Sequence, residues 1–490
     1  MRLRHALFLG SLAFSFPATA QQHDDAVSRY IKIPHAPSIV LEHVRVIDGT
    51  GAAPLENQYL VISDGKIASI SSTPPQLGHP PAVHIDLTGH TVFPGLVGMH
   101  DHLYNIARPN FASDGSSEPP LIVPEMPFTS PHLYLGAGVT TLRTTGSVET
   151  YTDLNLKRDI DAGKIPGPHI DVTGPYLEGP NSPFIQMHNL RDAADAKSTV
   201  DFWAAQGVTS FKAYMNITRA ELKAAIDEAH HLGLKITGHL CAVTYPEAAE
   251  LGIDNLEHGF MVNTQLDPGK QPDLCPATDG VPTILKMTPN SPEAVALIQL
   301  LVAHHVAITS TLPVFLSDDP THYTPPARVL AAMAPNTREA YLALRTLELK
   351  RSAANPQRAA DRIQQLKNDM GLEREFVAAG GLLLAGPDPT GDGGVLPGFG
   401  DQQEVELLVQ AGFTPVEAIH IATENGAIFL GRDKTIGTIA PGKNADLVIV
   451  KGDPTHNINA IENTEIIFKD GVGYDSQKLL DSTKGRYGQY

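Results

Sequence analysis

Pro94-Gly95-Leu96-Val97-Gly98-Met99-His100-Asp101-His102 is an apolar run that ends on two histidines separated by one residue. In an extended strand, residues i and i+2 project to the same side, so both imidazoles can reach one ion while Asp101 faces away. A His-x-His pair proves little alone, because two packed or solvated histidines leave the same trace. Its weight comes from its companions further along the chain: Lys212, His239, His258 and Asp388, each at or just past the end of an expected strand. A two-metal hydrolytic centre needs nitrogen and oxygen donors converging from separate strands.

Working outward, β-rich runs are expected at 91–98, 138–144, 169–174, 208–214, 235–240, 254–258, 306–312 and 382–388. Helical start signals lie between several of them. Thr218 with Glu221 makes a capping box, and Thr414-Pro415-Val416-Glu417 makes another with proline at the first helical position. This alternation implies a parallel sheet with right-handed crossovers, and eight repeats imply an α/β fold, a (β/α)8 TIM-type barrel. In such barrels the site sits at the carboxyl ends of the strands, where all six residues are expected. Three long connections, 104–131, 261–292 and 315–370, follow strands and should wall the pocket or serve as an oligomer contact. The third holds helical stretches at 337–352 and 357–368.

Residues 39–92 read as short β segments with a hairpin signal at Asp64-Gly65. Matching segments return at 445–450 and 461–468, so a small β-sandwich domain formed from both chain ends is expected around the barrel. Arg2, Arg4 and His5, an apolar run over 6–16 and the small-residue site Ala18-Thr19-Ala20 fit the pattern of a secretory signal peptide. The expected division is therefore a leader at 1–20 cleaved after Ala20, β-sandwich parts at 21–92 and 431–490, and a barrel at 93–430. Such a leader implies an exported protein, periplasmic or secreted. The apolar leader run is too short for a membrane span, which needs about 20 residues.

The formal charge of −18 becomes −20 once Arg2 and Arg4 are removed with the leader, which argues against nucleic acid or anionic membranes as partners. Cys241 and Cys275 are the only cysteines; they come after adjacent expected strands and could bridge, or could be two buried thiols.

With these neighbours the chain resembles the amidohydrolase superfamily, in particular its imidazolonepropionase and prolidase-like branch. The resemblance rests on Pro94-Gly95-Leu96-Val97 leading to His100-x-His102, on Asn255-Leu256-Glu257-His258-Gly259, and on the closing run from Ile436 to Val448. It implies two divalent metal ions, with zinc the first choice although nickel, cobalt or manganese would satisfy the same donors. His100, His102 and Asp388 would hold the more buried ion, and His239 and His258 the second. Lys212 matches the position of an N-carboxylated lysine bridging both. A carbamate makes sense of a lysine inside an apolar strand, where an ammonium would be costly to desolvate. Gly386-Pro387-Asp388 replaces the commoner Gly-Thr-Asp but keeps the carboxylate.

The implied reaction is hydrolysis of an amide, cyclic amide or dipeptide C–N bond by a metal-activated hydroxide, with Asp388 carrying the proton to the leaving nitrogen. Tyr214, His188 and Arg143 are substrate-side candidates, and Asp392 reads as a turn residue. The implied partner is a small-molecule amide or dipeptide, and a homo-oligomer is compatible with the long connections. Two other readings stand beside this one. A mononuclear deaminase of the same fold would generally lack Lys212, and an inactive periplasmic binding protein would not need all six donors.

Overall fold

The computed structural model describes residues 27–76, 82–106, 122–180, 182 and 184–488; the expected leader at 1–20 lies outside the described residues. Eight parallel strands succeed one another round a sheet in chain order: β1 (Leu96–Asp101), β2 (Val139–Thr144), β3 (His169–Leu177), β4 (Ser210–Ala213), β5 (Lys235–Gly238), β6 (Asn255–Glu257), β7 (Ala307–Ser310) and β8 (Leu383–Ala385). Just past β8, the Asp388 N–H donates to the His100 carbonyl at 3.0 Å, so the last strand is drawn onto the first. Gly386 permits that approach, since a Cβ there would stand 2.2 Å from the His100 backbone nitrogen. The expected (β/α)8 barrel is the fold observed.

The helices cover the strands through apolar stripes. In the helix Arg219–His231, Leu222, Ala225, Ile226 and Ala229 are buried at helical spacing, and Thr218 with Glu221 closes the capping box at its start. The helices Pro335–Ala354 and Pro356–Ala378 run longer than the expected 337–352 and 357–368; a proline at the first position sets where each begins.

Strands from both chain ends join one nine-stranded sheet. His90–Pro94 stands at its middle, antiparallel to Leu447–Lys451 and parallel to Ser38–Val46. One apolar cluster takes Ile39, Leu41 and Val44 from the first wing and Leu447, Ile449 and Phe468 from the second, so the two chain ends share one core. Here the structure corrects the sequence reading: the single strand expected at 91–98 is two strands, one in each sheet. The break falls at Gly95, where a Cβ would lie 2.0 Å from Thr140 Oγ1.

Cys241 and Cys275 form a disulfide with Cα atoms 4.9 Å apart, resolving the two alternatives in favour of the bridge. It ties the 261–292 connection to the segment after β5. A Cys241→Ser, Cys275→Ser double variant is expected to lose about 3–4 kcal/mol of unfolding free energy, from the loop entropy of a closure 34 residues long; matched denaturant melts would check it. Among the described residues, no helix is long and apolar enough to cross a membrane.

Candidate metal centre and substrate cavity

The six expected ligands gather at the carboxyl ends of β1, β4, β5, β6 and β8. Asp388 Oδ1 lies 3.3 Å from His102 Nε2 and 3.7 Å from His100 Nε2, and Asp388 Oδ2 lies 3.7 Å from His258 Nδ1. Lys212 Nζ is 3.1 Å from His100 Nε2. The His239 ring centroid is 4.4 Å from that of His258, which in turn is 4.5 Å from that of His100. His100, His102 and Asp388 offer donor atoms that all fall within 4.8 Å of one another.

Two of these residues hold unusual backbone. His258 and Asp388 have φ of 69° and 50°, in the left-handed region that non-glycine residues rarely adopt. Strain of this kind persists where surroundings over-determine it, as at binding sites. Around His258 the surroundings are explicit: Nδ1 lies 3.0 Å from Thr311 Oγ1. Asp388 Oδ1 accepts from Thr390 Oγ1 at 2.9 Å.

Burial, the largest influence on each histidine, favours its neutral form. It lowers the pKa of His102 to about 4 and that of His239 to about 3, with His100 and His258 also lowered. Neutral imidazole is the ligating form. Burial also lowers Lys212 to about 8, within reach of the free amine that carbamate formation requires. For Asp388 burial works upward, yet His100, His102 and His258 hold the carboxyl well below its usual range. His258 Nε2 and His102 Nδ1 are buried with no hydrogen-bond partner. Neutral imidazoles, an ionised carboxylate and orphaned ring nitrogens are a donor set that fits divalent metal.

Glu257 completes the centre, and sequence reasoning gave it no role. Its Oε2 accepts from His100 Nδ1 at 2.9 Å and its Oε1 from Arg143 Nη2 at 2.9 Å, all three side chains having no solvent exposure. With Nδ1–H committed, His100 Nε2 keeps its lone pair facing Lys212 and Asp388. The available signal was an acid inside the strand Asn255–Glu257, next to a ligand. Glu257→Gln keeps one acceptor and puts an amide NH2 against one of the two donors, His100 Nδ1 or Arg143 Nη2. It is expected to weaken metal retention about 10–100-fold and to cost about 3–5 kcal/mol of stability, read by chelator competition and denaturant melts.

The metal-ligand candidates border a cavity of about 640 Å³ lined by His102, Lys212, His239, His258 and Asp388. Its walls come from the long connections, including Tyr104, Ile106 and Val123 from 104–131, and Phe315, Leu344 and Arg362 from 315–370. Tyr214 also lines it, as expected of a substrate-side residue. Tyr104 and Tyr176 join it through a 2.7 Å hydroxyl pair that nothing in the sequence announced.

The other two substrate-side candidates are corrected by their placement. Arg143 is wholly buried against Glu257 and the Met99 carbonyl, so it braces β1 and β6 and does not reach the cavity. His188 is half exposed and bonded to Asp195 at 3.0 Å, outside the cavity lining. Asp392 sits in the expected turn, where its Oδ1 accepts from Ser317 Oγ at 2.8 Å and from the Gly394 N–H at 2.9 Å, and it also lines the cavity.

The strand ends thus gather one set of donors beside one cavity, the arrangement that a hydrolytic centre on this fold requires. The family comparison agrees: residues 397–472 match the amidohydrolase family, which bears out the resemblance to the amidohydrolase superfamily. The fold recurs in a bottromycin amidohydrolase at 21% identity and TM-score 0.66, covering 94% of this chain and 93% of that one. It recurs in a Xaa-Pro dipeptidase solved with methionine in its active site, at 19% identity and TM-score 0.65, over 89% of this chain and 100% of the other. A Bifidobacterium longum protein assigned as a prolidase aligns at 22% identity and TM-score 0.64, over 92% and 100%. Comparison with curated proteins gave no match.

Proposed function

We propose that this chain is an exported, metal-dependent amidohydrolase that cleaves the C–N bond of a small amide, cyclic amide or dipeptide. The observation that carries the reading is the convergence of two neutral imidazole pairs, a buried lysine and Asp388 beside one cavity. His100, His102 and Asp388 would hold one divalent ion, His239 and His258 a second, and Lys212, as its carbamate, would join them. Such ions, zinc being the first choice, lower the pKa of water toward neutrality and polarise a carbonyl.

The chain's own groups supply the rest. Asp388, kept ionised by its histidine neighbours, accepts a proton from the attacking water and returns it to the leaving nitrogen. Glu257 fixes the His100 tautomer. Tyr104, Tyr176 and Tyr214 present rings and hydroxyls along one cavity side, positioned to bound the substrate. The cavity wall mixes apolar groups such as Ile106, Val314 and Phe315 with charged ones such as Glu348 and Arg362. The dipeptidase and amidohydrolases that share the fold favour small substrates of this kind. The Cys241–Cys275 bridge supports export, because such bonds persist in oxidising compartments.

The test is a metal count joined to an activity panel. Full-length mature protein loaded with zinc should hydrolyse members of a dipeptide and N-acyl amino-acid library. No turnover on that panel or on lactams and lactones, with metal bound, would move the reading to a binding protein. A single catalytic-site ion with release of ammonia from an aminated ring would favour a deaminase.

A further inference from the structure

At the opposite end of the barrel from the cavity, where β3 begins, His169 meets two aspartates of the terminal sheet. His169 Nε2 lies 3.0 Å from Asp470 Oδ2, and His169, Asp446 and Asp470 offer donor atoms within 4.8 Å of one another. Asp446 is 5% exposed, and its Oδ1 accepts the Asp470 N–H at 2.7 Å. Its Oδ2 and the His169 Nε2 are both buried without a hydrogen-bond partner. A carboxylate oxygen left bare in the interior is costly, so something should answer it.

We propose that His169, Asp446 and Asp470 form a structural site for a zinc-type divalent cation that fastens the base of the barrel to the terminal sheet. One imidazole nitrogen and two carboxylate oxygens at this spread suit bonds of about 2.0–2.2 Å to one ion. Asp470 is half exposed, which leaves a coordination position for water. Asp161 Oδ1 stands 3.6 Å from the other ring nitrogen, His169 Nδ1.

The surrounding charges are Asp161, Asp446 and Asp470 against Lys157, 2.7 Å from Asp161, Lys469, 3.8 Å from Asp470, and Arg432, which also acts on Asp470. These charges balance in number, and the bare Asp446 Oδ2 is the atom an ion at this spot would answer.

The experiment compares zinc content in the intact protein and in His169→Ala after passage over a chelating resin. The expected result is one zinc equivalent fewer in the variant, with a lower Tm that added zinc does not restore. Equal zinc content in the two proteins overturns the proposal. Should alanine at 169 prevent folding, Asp470→Asn on the half-exposed edge serves instead. It is expected to release zinc to a chromophoric chelator at least about tenfold more readily, and unchanged retention overturns the proposal equally. Every catalytic-site donor is intact in these variants, so the difference is read independently of whether the cavity hydrolyses anything.

Discussion

Asp388→Asn is expected to retain most of its metal and to lose turnover by about 10²–10⁴-fold. Asparagine keeps an oxygen for the ion and can keep the backbone N–H bond to the His100 carbonyl at 3.0 Å. It also tolerates the φ of 50° better than other uncharged residues, so the fold should survive. What disappears is the group able to take a proton. Metal analysis, steady-state kinetics and a thermal melt on one preparation separate these effects. Turnover at the wild-type rate would remove Asp388 from proton transfer and leave it a ligand.

Lys212→Ala should be the more damaging change. The side chain is 1% exposed, with its ammonium nitrogen 5.4 Å from the Tyr176 ring and 5.8 Å from that of Tyr214, so truncation opens a void beside the histidines. If Lys212 serves as a carbamate, the variant loses the anion common to both ions. Bound metal and activity should then fall together, by about 10³-fold or more in rate, comparable to loss of a principal electrostatic group. A short carboxylic acid such as acetate or propionate fits the vacated space and should restore part of both. A variant that binds two ions normally without any additive would sink the carbamate assignment while leaving the rest of the centre in place.

Much of this molecule can be read along the chain because its chemistry is local to strand ends. The strands β2 to β8 fall within the runs expected for them, apart from a longer β3, and each of the six ligand candidates sits at the end of one. The run from Ile436 to Val448 likewise leads into the terminal sheet, whose strand Leu447–Lys451 lies inside the residues that match the amidohydrolase family. What escaped was fixed by partners far away in sequence. Glu257 finds His100 across 157 positions, and Arg143 finds Glu257 across 114, which turns a candidate substrate arginine inward. The break at Gly95 depends on Thr140 pressing against it from β2, and Tyr104 meets Tyr176 across 72 positions. His188 failed for another reason. It stands one residue from the cavity-lining Met187, and its ring turns to Asp195.

The seam between β8 and β1 also sets an order of events during synthesis. His100 and Asp388 are held together by a backbone bond between residues far apart in the chain, so this set of candidate ligands is completed when ring closure is completed. Contacts of such high contact order form late. A nascent or truncated chain that stops before residue 383 would carry the five other donors and lack the carboxylate that gathers three of them. Hydrolytic competence therefore reports on the last stage of folding, and a ribosome-bound chain should stay inert until its C-terminal hundred or so residues have emerged.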